Sequence, residues 1–183
     1  GLVEDTLSVL RLESAGVRVL VEEVNLHALF AELRAAGRLL RTSSATEEHW
    51  EVDADVPAIA SDRMKLRQIL TNLVGNARKF TRAGSITVRA SLAGDAVVLS
   101  VADTGCGIAP ADLPHVFELY RQASNGWSHD GCGIGLYIVR RYCELLGGSV
   151  AVESSLGQGT RFTVTVPVRA SVGHGSDARS AAA

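Results

Sequence analysis

Apolar and polar positions along the chain switch between two spacings, and the switches mark out the elements. Leu26, Leu29, Phe30, Leu33 and Leu40 recur at helical spacing and predict a helix over 26–40. The same spacing returns across Arg63 to Phe80, with Leu66, Ile69, Leu70, Leu73, Ala77 and Phe80 on one stripe and Ser61 or Asp62 placed to cap its start. A third helix is predicted from Gly135 to Leu146, closed by Gly147-Gly148. Alternation marks strands at Val17–Asn25, around Trp50–Val52, and at Ser85–Ser91 and Ala96–Ala102, the last two joined by the turn Ala93-Gly94-Asp95. Two more, Ser149–Glu153 and Arg161–Val168, flank Gly157-Gln158-Gly159-Thr160. Between Ala109 and Gly131 lies a long stretch of short helix and polar residues, a length that suits a functional lid better than a plain connection. Leu7 and Leu10 beside Arg11 and Glu13 read as the last turns of a helix stopped near Gly16, and the Ser, Gly, Asp and Ala tail after Arg169 is expected to be disordered.

Composition narrows the class. With 183 residues, 46% hydrophobic and 21% charged, the chain can bury one core without metals or disulfides. A net charge of -2 provides no basic footprint, so nucleic acid is not expected as a partner. No apolar run approaches the roughly 20 residues that span a bilayer, so no direct membrane insertion is expected of this chain, and a cytoplasmic location is. Cys106, Cys132 and Cys143 cannot pair completely and show no metal spacing, which fits a reducing compartment.

The chemistry gathers around the Arg63–Phe80 helix. Asn72, Asn76 and Lys79 form a stripe beside the apolar one. An amide oxygen such as that of Asn76 suits Mg²⁺, which takes few protein ligands and completes its octahedron with phosphates and water. Lys79, a turn on, can set its ammonium against the remaining phosphate charge. Asp103 ends a strand and is followed by Thr104-Gly105-Cys106-Gly107-Ile108, whose glycines allow the backbone to approach a flat ligand. Its carboxylate can accept from the amino group of adenine. Guanine would present an oxygen there, at a cost of roughly 1–3 kcal/mol for the unmet acceptors. Gly131-Cys132-Gly133-Ile134-Gly135-Leu136 runs into a helix, so its amides can point at an anion with the helix dipole behind them. Its spacing is neither the dinucleotide fingerprint nor that of a P-loop.

These segments resemble, in order, the conserved boxes of sensor histidine kinases. Asn72-Leu73-Val74-Gly75-Asn76-Ala77-Arg78-Lys79-Phe80-Thr81 is similar to the N box, Asp103 to Ile108 to the G1 box, Phe117-Glu118-Leu119-Tyr120-Arg121-Gln122 to the F box, and Gly131 to Leu136 to the G2 box. Gly157-Gln158-Gly159-Thr160 is similar to the last glycine motif, and the resemblance spans about Val21 to Val168. It implies the Bergerat fold, an α+β two-layer sandwich whose mixed sheet is covered on one face by helices. It also implies ATP and Mg²⁺ as ligands, with Asn76 on the metal, Asn72 and Lys79 on phosphates, Phe80 beside the base and Asp103 on adenine. Gly105, Gly107, Ile108 and Thr160 would line the nucleotide. The Gly131, Cys132, Gly133, Ile134, Gly135 and Leu136 segment would hold its phosphates. Tyr120 and Arg121 would belong to the lid's hinge region, with Arg121 reaching the γ-phosphate. Cys106 and Cys132 place two thiols near the nucleotide, where a redox switch competes with the reading of both as inert small residues.

The resemblance also implies a phosphoacceptor histidine on a dimeric helical hairpin, normally followed by an acidic residue. Only His129, before Asp130, has that neighbour, and its place before the glycines makes it a solvated loop residue; His27, His49, His115 and His174 lack it. Residues 1–16 resemble the end of the hairpin's second helix, which leaves 17–168 as the catalytic domain and 169–183 as the tail, and puts the acceptor upstream of Gly1. The expected partners are that hairpin and the receiver domain of a response regulator, with a monomeric fragment and a homodimeric whole protein. Three rivals remain: an ATP-hydrolysing machine of the same fold, an anti-sigma-type serine kinase, and a degenerate nucleotide-binding module. Against the first stands Asn72, because hydrolases of this fold carry a general-base glutamate there and an amide cannot take a proton near neutral pH.

Overall fold

The computed structural model describes residues 18–39, 46–120 and 133–169. The chain runs β1 (Glu22–Val24), α1 (Leu26–Leu39), β2 (Thr46–Val52), β3 (Ile59–Ser61), α2 (Arg63–Phe80), β4 (Gly84–Ala93), β5 (Ala96–Asp103), a 3₁₀ turn (Leu113–His115), α3 (Gly135–Leu145), β6 (Ser149–Ser155) and β7 (Gly159–Pro167). Five strands form one sheet in the order β2-β4-β5-β7-β6, and β1 pairs with β3 in a separate antiparallel ribbon. Within the large sheet β2 lies parallel to β4, because α2 carries the chain across between them, and the other pairings are antiparallel.

Alternation decides which face is covered. Ile86, Val88 and Ala90 of β4, Val97, Leu99 and Val101 of β5, and Phe162, Val164 and Val166 of β7 are buried, whereas Thr87, Arg89, Ser100, Thr163 and Thr165 between them are more open. The three helices pack on the apolar face, as the α+β reading expects. Leu66, Ile69, Leu70 and Leu73 of α2 have no exposed surface, and each such side chain contributes roughly 1.5–3 kcal/mol. That outweighs the roughly 1 kcal/mol lost to Gly75 on the exposed side of the helix. Arg78 makes two hydrogen bonds to Glu48 (Nε–Oε1 2.7 Å, Nη2–Oε2 2.9 Å) and ties α2 to β2, while Phe30 of α1 meets Trp50 of β2 edge-on at 5.6 Å.

Several boundaries differ from the sequence reading. The strand expected at 17–25 shortens to Glu22–Val24, and Ile59–Ser61, read as a lead-in to the helix, is its partner strand. The strand around Trp50 begins at Thr46, and the hairpin extends to Gly84–Ala93 and Ala96–Asp103. Phe80, placed on the apolar stripe, is only half-buried, and Val74 and Lys65 are buried instead. The helix end read at residues 5–13, Leu40, residues 121–131 of the segment read as a lid (Ala109 to Gly131) and the tail after Arg169 lie outside the described residues.

Asp62, not Ser61, caps α2, accepting from the Lys65 amide at 3.0 Å. The same carboxylate takes the Lys65 ammonium at 2.6 Å and the Leu20 amide at 2.9 Å, and the ammonium reaches on to the Arg18 carbonyl at 2.9 Å. Asp62 is 2% exposed and Lys65 9%. Burial alone would raise the Asp62 carboxyl, but the Lys65 ammonium and the Leu20 and Lys65 amides outweigh it and hold the group below its ordinary value. Its contribution to stability is therefore complete at neutral pH and is lost as pH falls through that depressed value. Replacing Asp62 by Ala removes the cap and strands a buried ammonium, and should destabilise by about 3–5 kcal/mol in urea unfolding at pH 7. The double variant Asp62→Ala, Lys65→Met should recover part of this; an equal loss in both would show that the stranded charge is not the cause.

Candidate active site

The five motifs meet along one end of the sheet and are joined by hydrogen bonds. At the end of α2, the Phe80 carbonyl accepts from the Cys106 amide at 3.3 Å. The Cys106 carbonyl in turn accepts from Gly157 at 2.7 Å. Midway along α2, Asn72 Nδ2 donates to the Gly135 carbonyl at 3.2 Å, binding the helix to the first turn of α3. Tyr120 donates from its backbone to the Gly133 carbonyl at 3.1 Å, so the two ends of the lid segment come together. Tyr120 is also the non-glycine residue with a positive φ (61°) among those described.

Asp103 sits where these contacts converge. Its Oδ1 accepts from the Gly105 amide at 2.8 Å. Burial raises its carboxyl above the ordinary value, against the opposing pull of the Gly105 and Thr160 amides and the Thr81 hydroxyl. Thr160 is buried, and its Oγ1 lies 3.0 Å from Ser154 Oγ, which accepts from the Ile108 amide at 2.8 Å. The glycines of this loop serve close approach to the protein itself. A Cβ on Gly105 would collide with the Phe80 carbonyl, and one on Gly107, whose φ is +68°, with the Ser155 carbonyl.

Asn76 is half-buried, and its amide makes no hydrogen bond to another described residue. Lys79 is exposed, with its ammonium 5.1 Å from the centre of the Phe80 ring. Both point away from the core stripe of α2. A divalent ion that takes one amide oxygen and otherwise phosphate and water needs no carboxylate cluster, so this donor set fits Mg²⁺. The first turn of α3 contains no acidic residue and Ile134 supplies no side-chain cap, which leaves its amides open to an anion.

Not every residue of the sequence-based set offers its side chain. Ile134 is 2% exposed and packs with Ile138 and Leu119, so it can serve a ligand only through its backbone, whereas Ile108 and Leu136 are half-buried against the main core. Phe117 packs edge-on against Phe162 at 6.2 Å and roots the F-box segment on β7. Arg121, Gly131 and Cys132 lie outside the described residues. Cys106 is half-buried, and burial together with the nearby Asp103 charge raises its thiol, so it is poorly suited to redox chemistry; burial pushes the Cys143 thiol up to about 12. Sequence reasoning assigned no role to Ser154 or Thr81. Ser154 is one polar residue on an alternating strand, and only the strand pairing Ser154↔Thr160 brings it to the site.

Burying the Asp103 charge costs stability where the group is ionised, and the sign follows from its raised value. The penalty is full at neutral pH and disappears as pH falls below the unfolded carboxyl value. Asp103→Asn should therefore raise Tm at pH 7 while weakening ligand binding, and the gain should shrink as pH falls through the carboxylate range. A lower Tm at pH 7 would show that the carboxylate instead supports the fold.

A sequence model of the family described as "Histidine kinase-, DNA gyrase B-, and HSP90-like ATPase" matches residues 61–170. The chain is 42% identical over 120 residues to the sensor protein GacS of Pseudomonas syringae pv. syringae, a match covering 61% of the chain and 13% of GacS. It is 41% identical over 148 residues to the histidine protein kinase DivJ of Caulobacter vibrioides, covering 74% of the chain and 24% of DivJ. The chain thus spans a small part of the length of these relatives. Among solved structures, full-length ShkA in complex with AMPPNP superposes with a TM-score of 0.82 at 37% identity, over 91% of this chain and 35% of that one. The mycobacterial sensor histidine kinase MprB gives a TM-score of 0.70 at 26% identity, over 82% and 100%.

Proposed function

The chain belongs to the histidine kinase-, DNA gyrase B- and HSP90-like ATPase family, and on that premise we propose that it is the ATP·Mg²⁺-binding catalytic domain of a two-component sensor histidine kinase. In this reading residues 17–168 form the catalytic unit, in the cytoplasm. It transfers the γ-phosphoryl group to a histidine on a dimerisation hairpin outside this chain, for relay to the receiver domain of a response regulator. No helix among the described residues is long and apolar enough to cross a membrane.

The roles follow from the side chains and what holds them. Asn76 takes the metal, which neutralises phosphate charge. Lys79 and the open amides at the start of α3 take the phosphates that the metal does not. Asp103 accepts from the adenine amino group while the Gly105 amide fixes its other side, and Phe80 lies beside the base. Arg121, by its place in the motif, reaches the γ-phosphate.

The observation that separates a kinase from a hydrolase is the bond from Asn72 Nδ2 to the Gly135 carbonyl, at 3.2 Å. That carbonyl, in the first turn of α3, takes the Asn72 amide as a donor in addition to its helical one. A glutamate placed there to activate water would set oxygen against oxygen, so the contact favours an amide that orders the phosphate loop and leaves water unactivated.

The test is calorimetric titration with a non-hydrolysable ATP analogue and Mg²⁺. The chain should bind it, Lys79→Ala should weaken binding roughly tenfold to a hundredfold, and Asn76→Ala should abolish the enhancement by Mg²⁺. With radiolabelled ATP the chain should not label itself and should label a hairpin carrying the acceptor histidine. Rapid steady-state hydrolysis would favour the hydrolase reading, and absence of nucleotide binding the degenerate module.

A further inference from the structure

Thr81 follows α2 directly and is 3% exposed. Its backbone is fully used by the fold: the amide donates to the Ala77 carbonyl at 3.0 Å, and the carbonyl accepts from Thr46 Oγ1 at 3.2 Å. Its side-chain hydroxyl is not. Among the described residues, Thr81 Oγ1 is the buried side-chain polar atom left without a hydrogen-bond partner. The Asp103 carboxylate lies beside it: Asp103 Oδ1 and the Phe80 carbonyl that leads into Thr81 crowd the same spot over Gly105, and the hydroxyl is near enough to favour the charged form of Asp103.

An unsatisfied buried hydroxyl is a net cost to the folded state, and a valine would fill the same shape without it. In the ligand-free protein this oxygen does no more than favour the charged form of Asp103, without a hydrogen bond of its own. Nor is its position loose, because both backbone bonds of Thr81 and the neighbouring Phe80–Cys106 bond pin it beside Asp103. One oxygen of that carboxylate is already committed to the Gly105 amide at 2.8 Å. When a base covers the site and excludes water, the carboxylate loses solvent donors at the moment it must stay an acceptor. The hydroxyl of Thr81 is the donor placed to replace them.

We propose that Thr81 is a positioning residue of the adenine site, whose hydroxyl, unused by the fold, bonds Asp103 when a nucleobase is bound and so strengthens and orients the carboxylate that accepts from the adenine amino group. The inference rests on the nucleotide-site reading above and adds a specificity determinant to it. Because the hydroxyl acts through Asp103, its effect depends on a ligand amino group. That dependence distinguishes it from a residue that merely shapes the pocket.

The experiment compares the wild type, Thr81→Val and Thr81→Ser by calorimetric titration with a non-hydrolysable ATP analogue and with purine riboside triphosphate, which lacks the amino group, alongside thermal unfolding of each ligand-free protein. Thr81→Val should keep or raise Tm, weaken the ATP analogue roughly tenfold and leave affinity for purine riboside triphosphate unchanged. Thr81→Ser, which retains the hydroxyl, should bind the ATP analogue like the wild type. Unchanged binding of the ATP analogue by Thr81→Val, an equal loss for both ligands, no rescue by Ser, or a lower Tm in Thr81→Val would each overturn the proposal. If the wild type binds neither ligand, the nucleotide-site reading fails first.

Discussion

The carbonyl oxygen of Phe80, at the end of α2, accepts from the Cys106 amide while Gly105 passes so close that any side chain there would strike it. This approach fixes the loop after β5 against the helix that carries Asn72, Asn76 and Lys79. The loop's other contacts follow from it: Cys106 holds Gly157, Gly107 lies against Ser155, and Asp103 reaches the turn before Thr160. A motif for phosphates and one for a base thus become a single surface because two backbones meet without a side chain between them. Glycine is required for that reason, and a ligand is not needed to explain it.

The site is assembled at a cost to the fold. Asp103 is half-buried, with burial raising its carboxyl despite its donors, and the buried Thr81 hydroxyl beside it has no hydrogen bond. At the other end of α2, by contrast, Asp62 and Lys65 are buried together with their donors and acceptors used. The buried carboxylate of Asp62 is held below its ordinary value by its partners, and the half-buried one of Asp103 is raised by burial despite its own. Polar groups left short in an otherwise satisfied interior mark where binding, not folding, is served.

Asn72 links the two helices that border the candidate site. Its amide donates to the carbonyl of Gly135 in the first turn of α3, and an amide cannot act as a base. The same contact joins α2 to α3, so one amide braces both.

By itself the sequence determined the elements whose signals are local. The two faces of α2 were legible because helical spacing separates Leu66, Ile69, Leu70 and Leu73 from Asn72, Asn76 and Lys79, and the β4–β5 hairpin was legible from its turn at Gly94. The mixed sheet with helices on one face followed from the resemblance. Tertiary structure alone decided the rest. A three-residue strand such as Ile59–Ser61 has too few positions to show alternation, and it exists only because β1 lies opposite. The parallel pairing of β2 with β4, the Lys65 bond to the Arg18 carbonyl, and the meeting of Ser154 with Thr160 depend on where distant backbone runs. The unpaired hydroxyl of Thr81 was the least legible of all. A hydroxyl in a sequence looks the same whether or not it is satisfied, and burial, which makes the difference matter, is a property of the folded chain.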